Sequence, residues 1–221
     1  MKIITFVRHG QSTANAGGVT MPHDSIPLSE LGDLQARVLA TVLPNHPSMI
    51  LTSEYLRAQH TAQHYCDRVG MLAQTHPLLH EFSTIDPALL EGMYGEQRRP
   101  IADAYWKQSN PDKRMGINAE TFTEFDQRVT DFLPQLQLLP TGSVLFGHGM
   151  WIGMLVWKLL GFRARDSTGM KAFRRFQLGL PMPNGAVYRF EECPAGHWRT
   201  LVDESSMREI LAVSLAAPLT N

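Results

Sequence analysis

Residues 3–15 read IITFVRHGQSTAN. Ile3, Ile4, Thr5, Phe6 and Val7 form a short apolar run rich in β-branched residues. A continuous run of that length reads as a strand buried on both faces, as in a covered parallel sheet. It stops at Arg8-His9-Gly10 and turns polar through Asn15. A cation, an imidazole and a permissive backbone therefore stand where the strand leaves its sheet. Open α/β sheets hold their ligands beyond such carboxyl ends. Arg grips two phosphate oxygens at once, neutral imidazole can attack phosphorus, and Gly lets an oxyanion reach the main chain. The segment predicts half of a phosphate-transfer site.

The same grammar recurs along the chain. Strands are predicted at Lys2–Val7, Ser48–Leu51, Ala73–Leu79, Ser143–Phe146, Ala186–Phe190 and Trp198–Val202. Between them lie helical patterns. Ser29 is placed to cap a helix with Leu31, Leu34, Val38 and Val42 on one face. Ser53 is placed to cap a second that ends at Gly70. A third spans Glu120 to Leu138, with a break expected at Pro134. Gly149 to Leu160 is apolar all round and should be buried, with Gly161 as its stop. Alternating strands and helices predict an α/β fold. Its mainly parallel sheet of about six strands is flanked by helices on both faces. The polar, Pro- and Gly-containing stretch of approximately 82–119 fits no strand–helix unit. It is expected to be a small inserted cap within a single domain over 1–221.

Composition narrows the partners. The chain has 221 residues, is 43% hydrophobic and carries a formal charge of −1. No basic footprint for nucleic acid is present. The longest apolar stretch, Met150 to Leu160, contains Lys158 and is too short to span a bilayer, so no membrane role is expected. Two cysteines, Cys66 and Cys193, give neither a disulfide framework nor a metal cluster. The N-terminus shows no cleavable signal pattern. Together these predict a cytoplasmic protein without metal or cofactor.

Two further strand exits carry chemistry. The strand at Ser48–Leu51 leads to Arg57 in the next helix, and Ser143–Phe146 leads to Gly147-His148-Gly149. Free N–H groups at that second helix start favour an anion. Glu81 follows the strand predicted at Ala73–Leu79. Each feature alone reads as a polar turn, a flexible loop or a solvated charge. Together they supply a nucleophile, charge clamps and a proton donor for phosphoryl transfer. His60 and His64 share metal-binding spacing but lack an accompanying Glu, and read as helix surface. Asn184-Gly185 reads as a turn.

At these residues the chain resembles the histidine phosphatase superfamily, the phosphoglycerate mutase-like proteins. Arg8 through Asn15 resembles its nucleophile signature, and Leu28-Ser29-Glu30-Leu31-Gly32 its first helix. Ser53 to Ala62 resembles its second arginine motif, Gly147-His148-Gly149 its second histidine, and Pro183-Asn184-Gly185 a late strand entry. The resemblance implies His9 as the phosphorylated nucleophile. It implies that Arg8, Arg57 and His148 bind the phosphoryl group, with help from Asn15 and Gly149, and that Glu81 is acid and base. The sequence after Glu81 departs from the family's Phe-Gly…Glu-Gly pattern, which leaves Asp86 and Glu91 as rivals for that role. No recognisable mutase segment for phosphoglycerate follows. The resemblance therefore implies metal-independent hydrolysis of a small phosphorylated metabolite by a histidine acid-type phosphatase. A cofactor-dependent phosphoglycerate mutase and a non-catalytic phospho-ligand binder are the alternatives. Arg98 and Arg99 in the cap could touch substrate.

Overall fold

In the computed structural model, which describes residues 1–216, six strands form one sheet in the order β3-β2-β4-β1-β5-β6. The strands are β1 Ile3–Arg8, β2 Ile50–Thr52, β3 Gln74–Thr75, β4 Ser143–Gly147, β5 Val187–Glu192 and β6 Trp198–Val202. The first four are mutually parallel, β5 runs antiparallel to β1, and β6 runs antiparallel to β5. Seven α-helices are present among the described residues: α1 Glu30–Val42, α2 Leu56–Val69, α3 Gly95–Gln108, α4 Phe122–Leu138, α5 Gly149–Leu159, α6 Ser167–Gly179 and α7 Glu204–Ala216. None is long and apolar enough to cross a membrane.

Alternation along β1 explains the two cores. Ile4 and Phe6 pack into one with residues of α4, α5 and α6, whereas Val7 joins the other with residues of α1, α2 and α7. Side chains of a strand point to opposite faces in turn, so a continuous apolar run is what a sheet covered on both sides requires.

Several local expectations need correction. Ala73–Leu79 is not one strand. β3 spans two residues, and Pro77–Leu79 is a 3-10 turn capped by His76, whose Nδ1 accepts from the Leu78 N–H. Pro77 has no N–H with which to extend the ladder. Nor does α4 break at Pro134. Phe125, Val129, Phe132 and Leu136 hold one buried stripe across it, and tertiary packing overrides local propensity. The face of α1 is also different. Gly32, Gln35, Ala36, Leu39 and Ala40 are buried, while Leu34 is exposed. Small residues let α1 approach the backbone closely: a Cβ on Gly32 would stand 1.9 Å from the Gln11 carbonyl oxygen. Ser29 does cap α1, accepting from the Gly32 N–H. Gly70 does end α2, in the left-handed region at φ 68°. The segment 82–119, expected as a cap, contains α3, and α6 and α7 are two helices beyond the predicted ones.

Candidate active site

Register brings the two histidines together. Arg8 at the end of β1 is the parallel partner of Gly147 at the end of β4. His9 and His148, each one residue further, therefore leave adjacent strands side by side, and their ring centroids are 5.2 Å apart. Both are buried. The His9 N–H donates to the Gly147 carbonyl, and the Gly185 N–H donates to the His9 carbonyl. The nucleophile candidate is thus pinned by main chain on both sides.

The His9 tautomer follows from its partners. Nδ1 lies 2.6 Å from the Gly10 carbonyl oxygen, which can only accept, so Nδ1 carries the proton. Nε2 keeps its lone pair and accepts from Arg57 Nε at 3.3 Å, a long and therefore weak hydrogen bond. Burial, then the Arg57 and Arg8 charges, push the His9 pKa well below 6.5. The ring is neutral, as an attacking imidazole must be.

Arg8 and Arg57 converge on this ring. Arg8 Nη1 donates to the Met182 carbonyl, while its Nε is buried without a partner. Arg57 Nη1 donates to the His23 carbonyl at 2.7 Å, and its guanidinium lies 4.9 Å from the Tyr55 ring centroid. Burial lowers both guanidinium pKa values, and the Glu81 carboxylate opposes that.

Ser53 does not cap α2, whose N-cap is Tyr55. Its Oγ instead accepts from the Tyr55 N–H and stands 2.9 Å from His148 Nε2. His148 Nδ1 is buried with no partner. An unpaired buried nitrogen is uncommon enough to call for a ligand or a function. Burial, followed by Arg57, lowers the His148 pKa well below 6.5, so this ring too is neutral.

The anion expected at the start of α5 is a protein group. Glu81 accepts there from the Met150 N–H at 3.0 Å and the Trp151 N–H at 3.1 Å, and also from the Phe82 N–H. Neither His148 nor Gly149 lines either cavity. A Cβ on Gly149 would stand 3.1 Å from Arg8 Nε, so the absence of a side chain there leaves room for Arg8.

An inner cavity of about 210 Å³ is lined by Arg8, His9, Asn15, Arg57 and Glu81, among others. Asn15 Oδ1 accepts from Asn184 Nδ2, which also reaches the His9 and Gly10 carbonyls. Asn184, His23 and Ser53 are contributors that motif reading missed. Asn184 looked like a plain turn residue, and nothing in the His23 neighbourhood marks it out. Of the three acid candidates, only Glu81 lines the inner cavity. Asp86 accepts from the Ala88 and Asn118 N–H groups and, with the exposed Glu91, lines an outer chamber of about 980 Å³. The two spaces share Thr20, Met21, His23 and Pro87. Arg98 lines the inner cavity and donates to the Gly18 and Met93 carbonyls and to Thr20, whereas Arg99 is exposed and lines neither space. His64 pairs with Asp33, and no group suited to hold a metal occurs among the described residues.

A family model described as the histidine phosphatase superfamily (branch 1) matches residues 4–204. GpmB of Yersinia pestis, described as a probable phosphoglycerate mutase, is 30% identical over 173 residues, covering 76% of this chain and 79% of its own. The alpha-ribazole phosphatase of Shigella flexneri superposes with a TM-score of 0.71 at 22% identity, over 90% of this chain and 95% of that one. A mycobacterial glucosyl-3-phosphoglycerate phosphatase gives 0.69 at 21% identity, over 91% and 98%. At these identities the two structures speak to the fold.

Proposed function

The chain belongs to the histidine phosphatase superfamily, branch 1, and on that premise we propose that it hydrolyses phosphomonoesters through a phosphohistidine on His9. Phosphoryl-transfer chemistry comes with the family; the acid-type label is narrower than the match to branch 1 supports. In the first step the His9 Nε2 lone pair forms an N–P bond as the ester P–O bond breaks. Glu81, on the inner cavity wall, takes the proton that the phosphomonoester monoanion brings in and passes it to the departing oxygen. That returns Glu81 to the carboxylate that the second step uses. In the second step Glu81 takes a proton from water, the water oxygen bonds to phosphorus, and the N–P bond breaks. Arg8 and Arg57 stabilise charge on the phosphoryl oxygens. His148 Nδ1 donates to one of them. Ser53 Oγ, with a lone pair committed to Tyr55, has its proton free for His148 Nε2, which leaves the ring proton on Nδ1.

The observation that carries hydrolysis over mutase activity is the outer chamber. A mutase must seat the second anionic group of its substrate and intermediate. Arg114 is the one Lys or Arg in that chamber's lining among the described residues, and it is held by the Glu124 carboxylate and the Ala119 carbonyl. The GpmB relative keeps the mutase reading in play. Incubation with 3-phosphoglycerate and, separately, with a simple aryl phosphate decides between them. Hydrolysis predicts inorganic phosphate in step with alcohol from the aryl ester, and no competitive formation of 2-phosphoglycerate. Rapid interconversion of the phosphoglycerates without phosphate release would overturn it.

A further inference from the structure

The inner and outer spaces form one path with opposite electrostatic ends. Arg8, in the inner lining, has its Nε buried without a partner. Behind that lining His148, 0% exposed, packs its ring 5.2 Å from that of His9, with its Nδ1 unpartnered too. Together with the cationic guanidinium groups, these unmet donors mark the seat of an anion. The outer lining contains Asp24, Glu54, Asp86, Glu91, Glu120 and Glu124. Two of these are neutralised in place. Glu120 makes a two-point ion pair with Arg128, at 2.8 and 2.7 Å, and Glu124 pairs with Arg114.

Asp24, Glu54, Asp86 and Glu91 have no Lys or Arg partner among the described residues. Asp86 is only 4% exposed, and its partners are the amide groups of Ala88 and Asn118. Those amides hold its carboxyl below the usual carboxylate range, so it is an anion. Two imidazoles face the same space, His23 and His80, the latter 3.7 Å from Glu54. Burial lowers both pKa values, so neither supplies a countercharge near neutral pH. The Ala88 and Asn118 amides satisfy Asp86 as a hydrogen-bond acceptor, but no cation among the described residues offsets the net negative charge that it shares with Asp24, Glu54 and Glu91 in this lining.

We propose that the chamber selects phosphomonoesters whose leaving alcohol carries a cationic amine. This rests on the phosphatase reading and names the substrate class of the same site. The phosphoryl group enters the inner cavity, and the ammonium group lies outward among Asp24, Glu54, Asp86 and Glu91. The tilted rings of Tyr55 and His80, with centroids 5.8 Å apart, flank the path. The size of the chamber suits a leaving group of several carbons and not a minimal one. The same field repels a leaving group bearing a carboxylate or second phosphate, because like charges cost what opposite charges gain.

A matched series tests this: aminohexyl phosphate, hexyl phosphate and carboxypentyl phosphate, compared by kcat/KM at low and high salt. The expected order is amine over alkyl over carboxylate, with each step about tenfold at low ionic strength and shrinking as salt screens the exposed carboxylates. In the doubly substituted Asp24→Asn, Glu91→Gln protein the amine-to-alkyl ratio should fall toward one. Turnover of hexyl phosphate with equal or poorer turnover of aminohexyl phosphate would overturn the inference while leaving the phosphatase reading intact. An amine preference that salt and the double substitution leave unchanged would also overturn it. Failure to release phosphate from any of the three, or from an aryl phosphate, would overturn the phosphatase reading and this inference with it.

Discussion

Arg57 shows how much one side chain does here. Its Nε faces His9 Nε2, its Nη1 is anchored on the His23 carbonyl, and its plane lies near Tyr55. Lys would keep the charge and lose the fork and the anchor. Arg57→Lys should lower kcat by about a hundredfold, the scale of losing one preorganised donor, with the melting temperature little changed. Wild-type kinetics in that variant would place Arg57 outside the reacting centre. The neutral imidazoles make a second prediction at this scale. His9 and His148 have folded pKa values well below the ordinary 6.5. Below pH 6.5 the unfolded chain therefore binds protons that the folded protein refuses. Stability should be full above that pH and decline as pH falls from 6.5 toward the folded values. Thermal unfolding between about pH 7.5 and pH 5 should show that decline, and His148→Gln should make it shallower. Parallel curves would mean that His148 is not held neutral by the fold.

Elements, more than motifs, set the positions of these residues. The β1–β4 register puts His9 beside His148, and α5 presents its first N–H groups to Glu81. The loop after β1 is braced by Thr61 Oγ1, which accepts from the Gly10 N–H, and by the close contact of α1. A Cβ on Gly32 would fall 1.9 Å from the Gln11 oxygen, backbone against backbone. Gly32→Ala should therefore destabilise the fold by about 1–3 kcal/mol, the usual range for overpacking, and loosen the loop that carries His9. Denaturant unfolding with a midpoint equal to wild type would refute that packing. The strand core of β1 and the helix stops at Gly70 and Gly161 were legible because their signals are local: continuous apolarity, and glycine at φ 68° and 86°. The buried face of α1 was not. Leu31 and Leu34 advertise a stripe, but helix docking here depends on Gly32 and Ala36, whose value lies in how little room they take. The end of β3 could have been read from Pro77. The continuity of α4 through Pro134 could not, because it depends on partners distant in the chain.

At the scale of the whole molecule, the sheet order places β4 between β2 and β1, so three parallel strands open onto one edge. That arrangement gathers Arg8, His9, Arg57 and His148 from stretches up to 140 residues apart in number, from 8 to 148. Those four were readable because each lies at or soon after the end of a strand whose apolar run marks that end. Glu81 was harder to single out, since Asp86 and Glu91 lie nearby in sequence, and only the folded path separates inner wall from outer chamber. The outer chamber itself was invisible. Its carboxylates come from loops without shared periodicity, and which of them remain uncompensated depends on the Glu120–Arg128 and Glu124–Arg114 pairs. What unites these scales is transfer of phosphorus to one nitrogen. Rapid mixing with a labelled aryl phosphate, followed by quenching and mapping of the label, tests that most directly. The account predicts an acid-labile, base-stable phosphoryl adduct on His9 that forms and decays within the turnover time, with both adduct and turnover lost in His9→Ala. Label on another residue, or undiminished turnover in His9→Ala, would contradict it.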